Sequence, residues 1–217
     1  MAHRVVQDVI ETAAADGVAI ACLLSGTSTA ANPNWTIVDH VDRIEPKAGH
    51  VYLPAADLTL ELRDGKVAAT RLDGDERSAP IDHQLASLAV STKGFAVGVI
   101  LSGGGTDGTQ GIRAISAMGG MTIAQCADSA LERSMPSSAV KSGAIDHVLE
   151  PDAIAAEVSL YAQHMQDTDE HDELSDLNRK IIIAIPQIAA AIEKHTQNDF
   201  RHYKTTTLTR RIRRRIL

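Results

Sequence analysis

The sequence predicts an α/β fold built on a doubly wound parallel sheet, and three observations carry that prediction. Phe95–Leu101 is an apolar, β-branched run, as expected of a central parallel strand covered on both faces. A glycine-rich turn follows it directly, Ser102-Gly103-Gly104-Gly105-Thr106-Asp107-Gly108. Thr109–Met118 then has helical spacing with Ile112 and Ile115 inside, and Gly119-Gly120 separates it from a second strand at Met121–Gln125. Strand, turn, helix, strand is a βαβ unit, whose two strands run parallel.

The remaining elements follow in chain order. Val5, Val6, Val9 and Ile10 share the spacing of a helix that ends at Asp16-Gly17. Val18–Leu24 reads as a short buried strand, and Ser25–Thr29 and Asn32-Pro33-Asn34 as loops. Trp35–Leu72 is β-rich. Val51-Tyr52-Leu53 is a strand closed by Pro54, and Leu58, Leu60 and Leu62 alternate with Thr59 and Glu61 at the period of a half-buried strand. Asp64-Gly65 is a hairpin turn with Lys66–Leu72 as the return strand. Gly74–Ala79 reads as a polar loop and Ile81–Ser91 as a helix. After the βαβ unit come a helix near Ser137–Ser142, a strand at Asp146–Leu149, and a helix opened by Pro151 that runs to about Gln163.

Composition narrows the class. The 217 residues are 44% hydrophobic and 23% charged, enough apolar material for a buried core. The longest apolar runs fall far short of the ~20 residues of a spanning helix, and no secretory signal follows Met1, so direct membrane insertion is not expected. Two cysteines, Cys22 and Cys126, exclude a disulfide scaffold and fit a reducing, cytoplasmic setting. Aromatics at 3% argue against a base-stacking surface.

Charge is unevenly spread within the net of −7. Residues 201–217 hold Arg201, Lys204, Arg210, Arg211, Arg213, Arg214 and Arg215 and none of the 28 acids. Before them, Asp167, Asp169, Glu170, Asp172, Glu173 and Asp176 crowd one stretch, which reads as a linker because it cannot bury a face. Beyond it, Ile181, Ile185, Ile188 and Ile192 mark a helix that Pro186 should kink, and Leu208, Ile212 and Ile216 mark one side of a basic helix.

The glycine turn is the sharpest chemical feature. Backbone N–H groups at a strand-to-helix turn can hold an anion. No Gly-Lys-Ser/Thr follows, however, and the glycines at 103, 104, 105, 108 and 111 do not fit G-x-G-x-x-G. Spacing alone leaves a tight crossover turn as the competing reading.

The wider pattern is more specific. Val97–Gly108, continuing through Gly111, Ile112, Ala114 and Ile115 to Gly119–Gln125, closely resembles the catalytic domain of chemotaxis protein-glutamate methylesterases, the CheB family. Gly49-His50-Val51-Tyr52-Leu53-Pro54 and Met135-Pro136 through Ala139, Gly143, Val148 and Leu149 resemble two further segments of that family, in the right order. Asn198–Lys204 and Thr207–Arg215 look like the opening helices of chemotaxis receptor methyltransferases, the CheR family. The resemblance implies four regions: a divergent segment 1–37, the C-terminal portion of a methylesterase domain over 38–162, an acidic linker over 163–176, and over 177–217 the first helices of an all-α methyltransferase domain. The chain then resembles a fragment of an esterase–methyltransferase fusion.

The chemistry that this resemblance implies is hydrolysis of receptor glutamate methyl esters, and deamidation of glutamine, by a Ser-His-Asp triad. Asp107 takes the role of the aspartate, flanked by active-site loops that contain Gly103, Gly105, Gly108, Met135 and Pro136. The family's serine and histidine motifs lie upstream of Gly49 and have no counterpart here, which implies that the amino-terminal part of the domain is missing and that this chain alone lacks esterase activity. Ser25 or Ser28 with His40 offers a weak substitute in the right chain order. Departures from the family pattern include Gly104 in place of methionine or threonine, Cys126 in place of an acidic or amide residue, and Ser134 in place of glycine. The implied partner is the cytoplasmic helices of methyl-accepting chemoreceptors, faced by Arg210, Arg211, Arg213, Arg214 and Arg215. The alternative is a non-catalytic remnant or receptor-docking fragment. Nucleic acid is not expected, since no motif supports it. No cofactor is expected within the chain, because an S-adenosylmethionine site would lie beyond residue 217. The nine histidines show no metal-ligand spacing.

Overall fold

The computed structural model describes residues 2–16, 22–23, 34–39, 42–92, 94–167, 173–196 and 212. The chain divides into two compact units, 1–163 and 164–217.

The first unit is α/β. Helix α1 (Ala2–Ala15) precedes a three-stranded parallel ribbon of β1 (Cys22–Leu23), β2 (Trp35–Val38) and β4 (Val51–Pro54), with β4 in the centre. Val51, Tyr52 and Leu53 are all buried, as a strand with neighbours on both sides requires. An antiparallel sheet joins β3 (Arg43–Ile44), β6 (Lys66–Thr70) and β5 (Thr59–Arg63). Its hairpin turns at Asp64 (φ 52°) and Gly65 (φ 74°), the paired left-handed geometry that suits the twist of a two-residue loop. A second parallel ribbon orders β7 (Val97–Ile100), β8 (Met121–Gln125) and β9 (His147–Leu149) as in the chain. Helices α3 (Thr109–Met118) and α4 (Ser134–Lys141) make its crossovers.

Helices cover both faces of this ribbon. Ala96 and Ile100 pack with Leu85 and Ala89 of α2 (Pro80–Thr92), Ile112 and Ile115 of α3, and Ala139 of α4. Val97, Val99, Met121 and Ile123 face the other way, onto Val5 and Val9 of α1 and Ile154, Ala155 and Val158 of α5 (Pro151–Asp167). This is the doubly wound arrangement that the sequence predicts. Alternate residues of β7 feed opposite clusters, so the strand must be apolar throughout. Cys22 of β1 joins the α1–α5 cluster and also the cluster of Ile10, Val51 and Leu53, so it lies where the two ribbons meet. Burial pushes its thiol up to about 12, which disfavours the thiolate and suits a packing role.

Three expectations need correction. Strand β5 is not half-buried: Thr59 and Glu61 are buried together with Leu60. Helix α2 lies across their face, the Ser87 hydroxyl accepting the Leu62 N–H (3.1 Å) and the Ser91 hydroxyl donating to the Leu62 carbonyl (2.6 Å). Gly74–Ser78 is a short 3-10 helix rather than an irregular loop. Helix α4 opens at Ser134, three residues ahead of expectation, because Pro136 sits in the first turn, where no backbone N–H is needed.

In the second unit, α6 spans Glu173–Thr196 with Pro186 inside it and no break there. The acidic stretch read as a linker is helical at both ends, since α5 runs on to Asp167 and α6 begins at Glu173.

Candidate active site

The site is built on the turn between β7 and α3. Gly105 (φ 82°) and Gly108 (φ 86°) take left-handed conformations that side chains disfavour. At Gly103 an added Cβ would lie 2.6 Å from the Met135 Cε, the far end of a flexible side chain that packs against the turn. The turn is laced to the loop before α4. The Gly103 N–H donates to the Glu132 carbonyl (3.1 Å), and the Gly103 carbonyl accepts the Met135 N–H (3.0 Å). The Glu132 N–H donates to the Ser102 hydroxyl (3.0 Å), the Ser102 N–H to the buried Gln125 Oε1 (2.8 Å), and the Gly105 N–H to the Ser134 hydroxyl (3.1 Å). The Ser134 hydroxyl donates in turn to Glu132 Oε1 (2.8 Å), and this bond and the Ser134 N–H hold the Glu132 carboxyl below its ordinary value.

Asp107 is the best-held side chain of the turn. Its Oδ1 accepts the N–H groups of Asp82 (2.9 Å) and Gly108 (2.8 Å), and its Oδ2 accepts the Ile81 N–H (3.0 Å). Ile81 and Asp82 are in the first turn of α2, whose N–H groups have no partner within the helix. The carboxylate thus caps α2 and sits beside the start of α3, with the positive end of each helix dipole toward it. A carboxylate offers about four acceptor positions, so three are filled and one on Oδ2 has no donor among the described residues.

The structure therefore brings together Gly103, Gly105, Asp107, Gly108, Met135 and the neighbouring Pro136. Ser25, Ser28 and His40 lie outside the described residues, as do Arg210, Arg211, Arg213, Arg214 and Arg215. Among the described residues no histidine hydrogen-bonds Asp107. His83 Nε2 is 3.7 Å from Glu61 Oε2, His50 Nδ1 is 3.0 Å from the Ala48 carbonyl, and His147 Nε2 is 3.5 Å from Glu157 Oε1. Nor do the described residues gather a group of three or more side chains able to hold a metal ion. No helix among them is long and apolar enough to cross a membrane. Sequence reasoning passed over Asp82, Gln125 and Ser134 as holders of the turn. The signal for Asp82 was present, an acidic residue just after Pro80 at a helix start.

A family profile, CheB methylesterase, matches residues 29–158. The chain belongs to the CheB methylesterase family. The match takes in β2 through the first two turns of α5, hence both parallel ribbons apart from β1 and the whole turn that carries Asp107. The CheB methylesterase catalytic domain of Thermotoga maritima is structurally similar at a TM-score of 0.50 and 30% identity, over 57% of this chain and 68% of that one. A protein-glutamate methylesterase/protein-glutamine glutaminase of Vibrio vulnificus is 36% identical over 107 residues, 47% of this chain and 31% of that protein. An uncharacterized 104.1 kDa protein of Rhodobacter capsulatus is 41% identical over 115 residues, 52% of this chain and 12% of that protein. The chain thus spans less than half the length of these curated relatives.

Proposed function

We propose that this chain serves chemotaxis-type receptor adaptation and carries the aspartate-bearing part of a site that hydrolyses glutamate methyl esters and deamidates glutamine on chemoreceptors. The observation that carries the reading is the Asp107 carboxylate, fixed by three backbone donors with one acceptor position open on Oδ2. That geometry suits an aspartate that takes one imidazole N–H, sets the tautomer of the histidine, and stabilises its charged form while a serine attacks the ester carbonyl. Methanol leaves as the acyl-enzyme forms, and water then releases the glutamate. Family membership and relatives named as methylesterase/glutaminase support the reaction class.

The serine and histidine have no counterpart among the described residues, and an aspartate alone supplies no nucleophile, so we expect the chain by itself to be inactive. The second reading is a non-catalytic remnant that docks on receptor helices through Arg210, Arg211, Arg213, Arg214 and Arg215. What favours it is that Asp107 already has a complete structural task in capping α2, which would retain it without catalysis. In both readings the protein works in the cytoplasm and residues 177–217 open a receptor methyltransferase domain, an arrangement that the charge contrast between acidic stretch and arginine tail supports.

The test is methanol release from a methylated receptor cytoplasmic fragment, with Asp107→Ala as control. We expect no release above background from either protein. Release that depends on Asp107 would overturn the inactive reading and make Ser25, Ser28 and His40 the next substitutions.

A further inference from the structure

The carboxylate of Asp107 is held by a helix 25 and 26 residues earlier in the chain, not by its own βαβ unit alone. What fixes that helix is therefore part of what fixes the site. At its far side α2 is gripped by β5 through Ser87 and Ser91, which satisfy both backbone groups of Leu62. At its N-terminal end the tie is Asp82. The Asp82 amide donates to Asp107 Oδ1 (2.9 Å), and the Asp82 side-chain Oδ1 accepts the Gly111 N–H (2.7 Å) in the first turn of α3.

The two aspartates thus cap each other's helices. Asp107, just ahead of α3, takes N–H groups from the first turn of α2. Asp82, in the first turn of α2, takes one from the first turn of α3. Each bond satisfies a donor that the helix itself leaves unpartnered, and each carries a charged acceptor. The pairing needs the two helices in close contact, and Gly111 permits it: a Cβ there would lie 2.5 Å from the Leu85 Cβ and 3.1 Å from the Asp82 Cα and carbonyl oxygen.

We propose that Asp82 is a positioning residue for Asp107. It anchors the first turn of α2 to α3, so that the Ile81 and Asp82 amides stay aimed at the Asp107 carboxylate and its open Oδ2 position keeps one direction. This rests on the reading of Asp107 as the orienter of a histidine. A carboxylate free to swing by an ångström would no longer set an imidazole for catalysis.

The experiment is amide hydrogen exchange, read residue by residue by NMR on the whole chain, for wild type, Asp82→Ala and Asp82→Asn. Asparagine keeps an oxygen for the Gly111 N–H, whereas alanine does not. In Asp82→Ala we expect exchange at Ile81, Gly108 and Gly111 to rise together by about tenfold or more, and at Leu62 to stay within about twofold, because the Ser87 grip is untouched. Asp82→Asn should restore protection at all three. Should the alanine variant fail to fold, Asp82→Ser reads the same amides, since its shorter side chain does not span to Gly111. Faster exchange confined to Gly111 would overturn the proposal and leave Asp82 a cap for α3 only. Asn behaving like Ala would overturn it as well. Methanol release tests the underlying reading separately, since the exchange result stands whether or not Asp107 serves catalysis.

Discussion

The two parallel ribbons differ in how their strands find one another. In the ribbon β7–β8–β9, spatial order follows chain order and each connection is a helix a few residues away. In the ribbon β1–β4–β2, the central strand comes last, and β3 intervenes between it and β2. The first ribbon is written in local signals: apolar strands, a glycine turn, and helices that end at left-handed glycines. The second depends on pairings across the chain, which no local pattern encodes. The site draws on both modes, because Asp107 lies in a local motif but is held by a helix from upstream.

The largest effect is expected where α2 meets α3. Gly111→Val would push a branched side chain against Leu85 and the Asp82 backbone, and we expect a loss of about 3 kcal/mol or more in urea unfolding. Gly143→Ala is the contrast: its φ of 73° carries strain, but nothing lies within 4 Å of an added Cβ, so about 1 kcal/mol should suffice.

Next in size is the core of the local ribbon. Ile123, fully buried at the centre of β8, should cost about 3–4 kcal/mol as Ile123→Ala. In the other ribbon, Ile37 of β2 is 63% exposed, and Ile37→Ala should fall within about 0.5 kcal/mol of wild type. Equal losses at the two positions would show that the edge of β2 is covered in solution.

Asp107→Ala removes a carboxylate that takes three backbone bonds, and we expect about 1–2 kcal/mol of destabilisation, in the range of a lost helix cap. Asp107→Asn, which keeps one oxygen, should lose less.

The smallest effect is at Glu132. Its carboxyl is held low by the Ser134 bonds, so those bonds are intact above its ordinary value of 4.5 and are lost as pH falls through the lowered one. The Gly105 and Ser134 amide resonances should therefore move on acidification in wild type. In Glu132→Gln that movement should disappear.

This contrast also explains what the sequence made legible. The bounds of α3 and β8 follow from Gly108 and Gly119, whose left-handed conformations admit little else, and from Gly120, where an added Cβ would lie 2.5 Å from the Ala96 carbonyl oxygen. The buried polar face of β5 was not legible, since Thr59 and Glu61 look solvent-facing until Ser87 and Ser91 bring α2 across them. Asp107 was found as a motif residue. Its partners were not, because backbone N–H groups of a distant helix leave no mark in a side-chain pattern. Asp82 left only the faint mark of an acid in a first helical turn.

The most direct test of this account is the exchange of the Ile81, Asp82 and Gly108 amides in Asp107→Ala, measured beside the Met135 amide that bonds Gly103. The account predicts that the three amides lose protection together, in α2 as well as in the turn, while Met135 keeps its own. Loss confined to Gly108, with Ile81 and Asp82 as protected as in wild type, would contradict it and return Asp107 to its own βαβ unit.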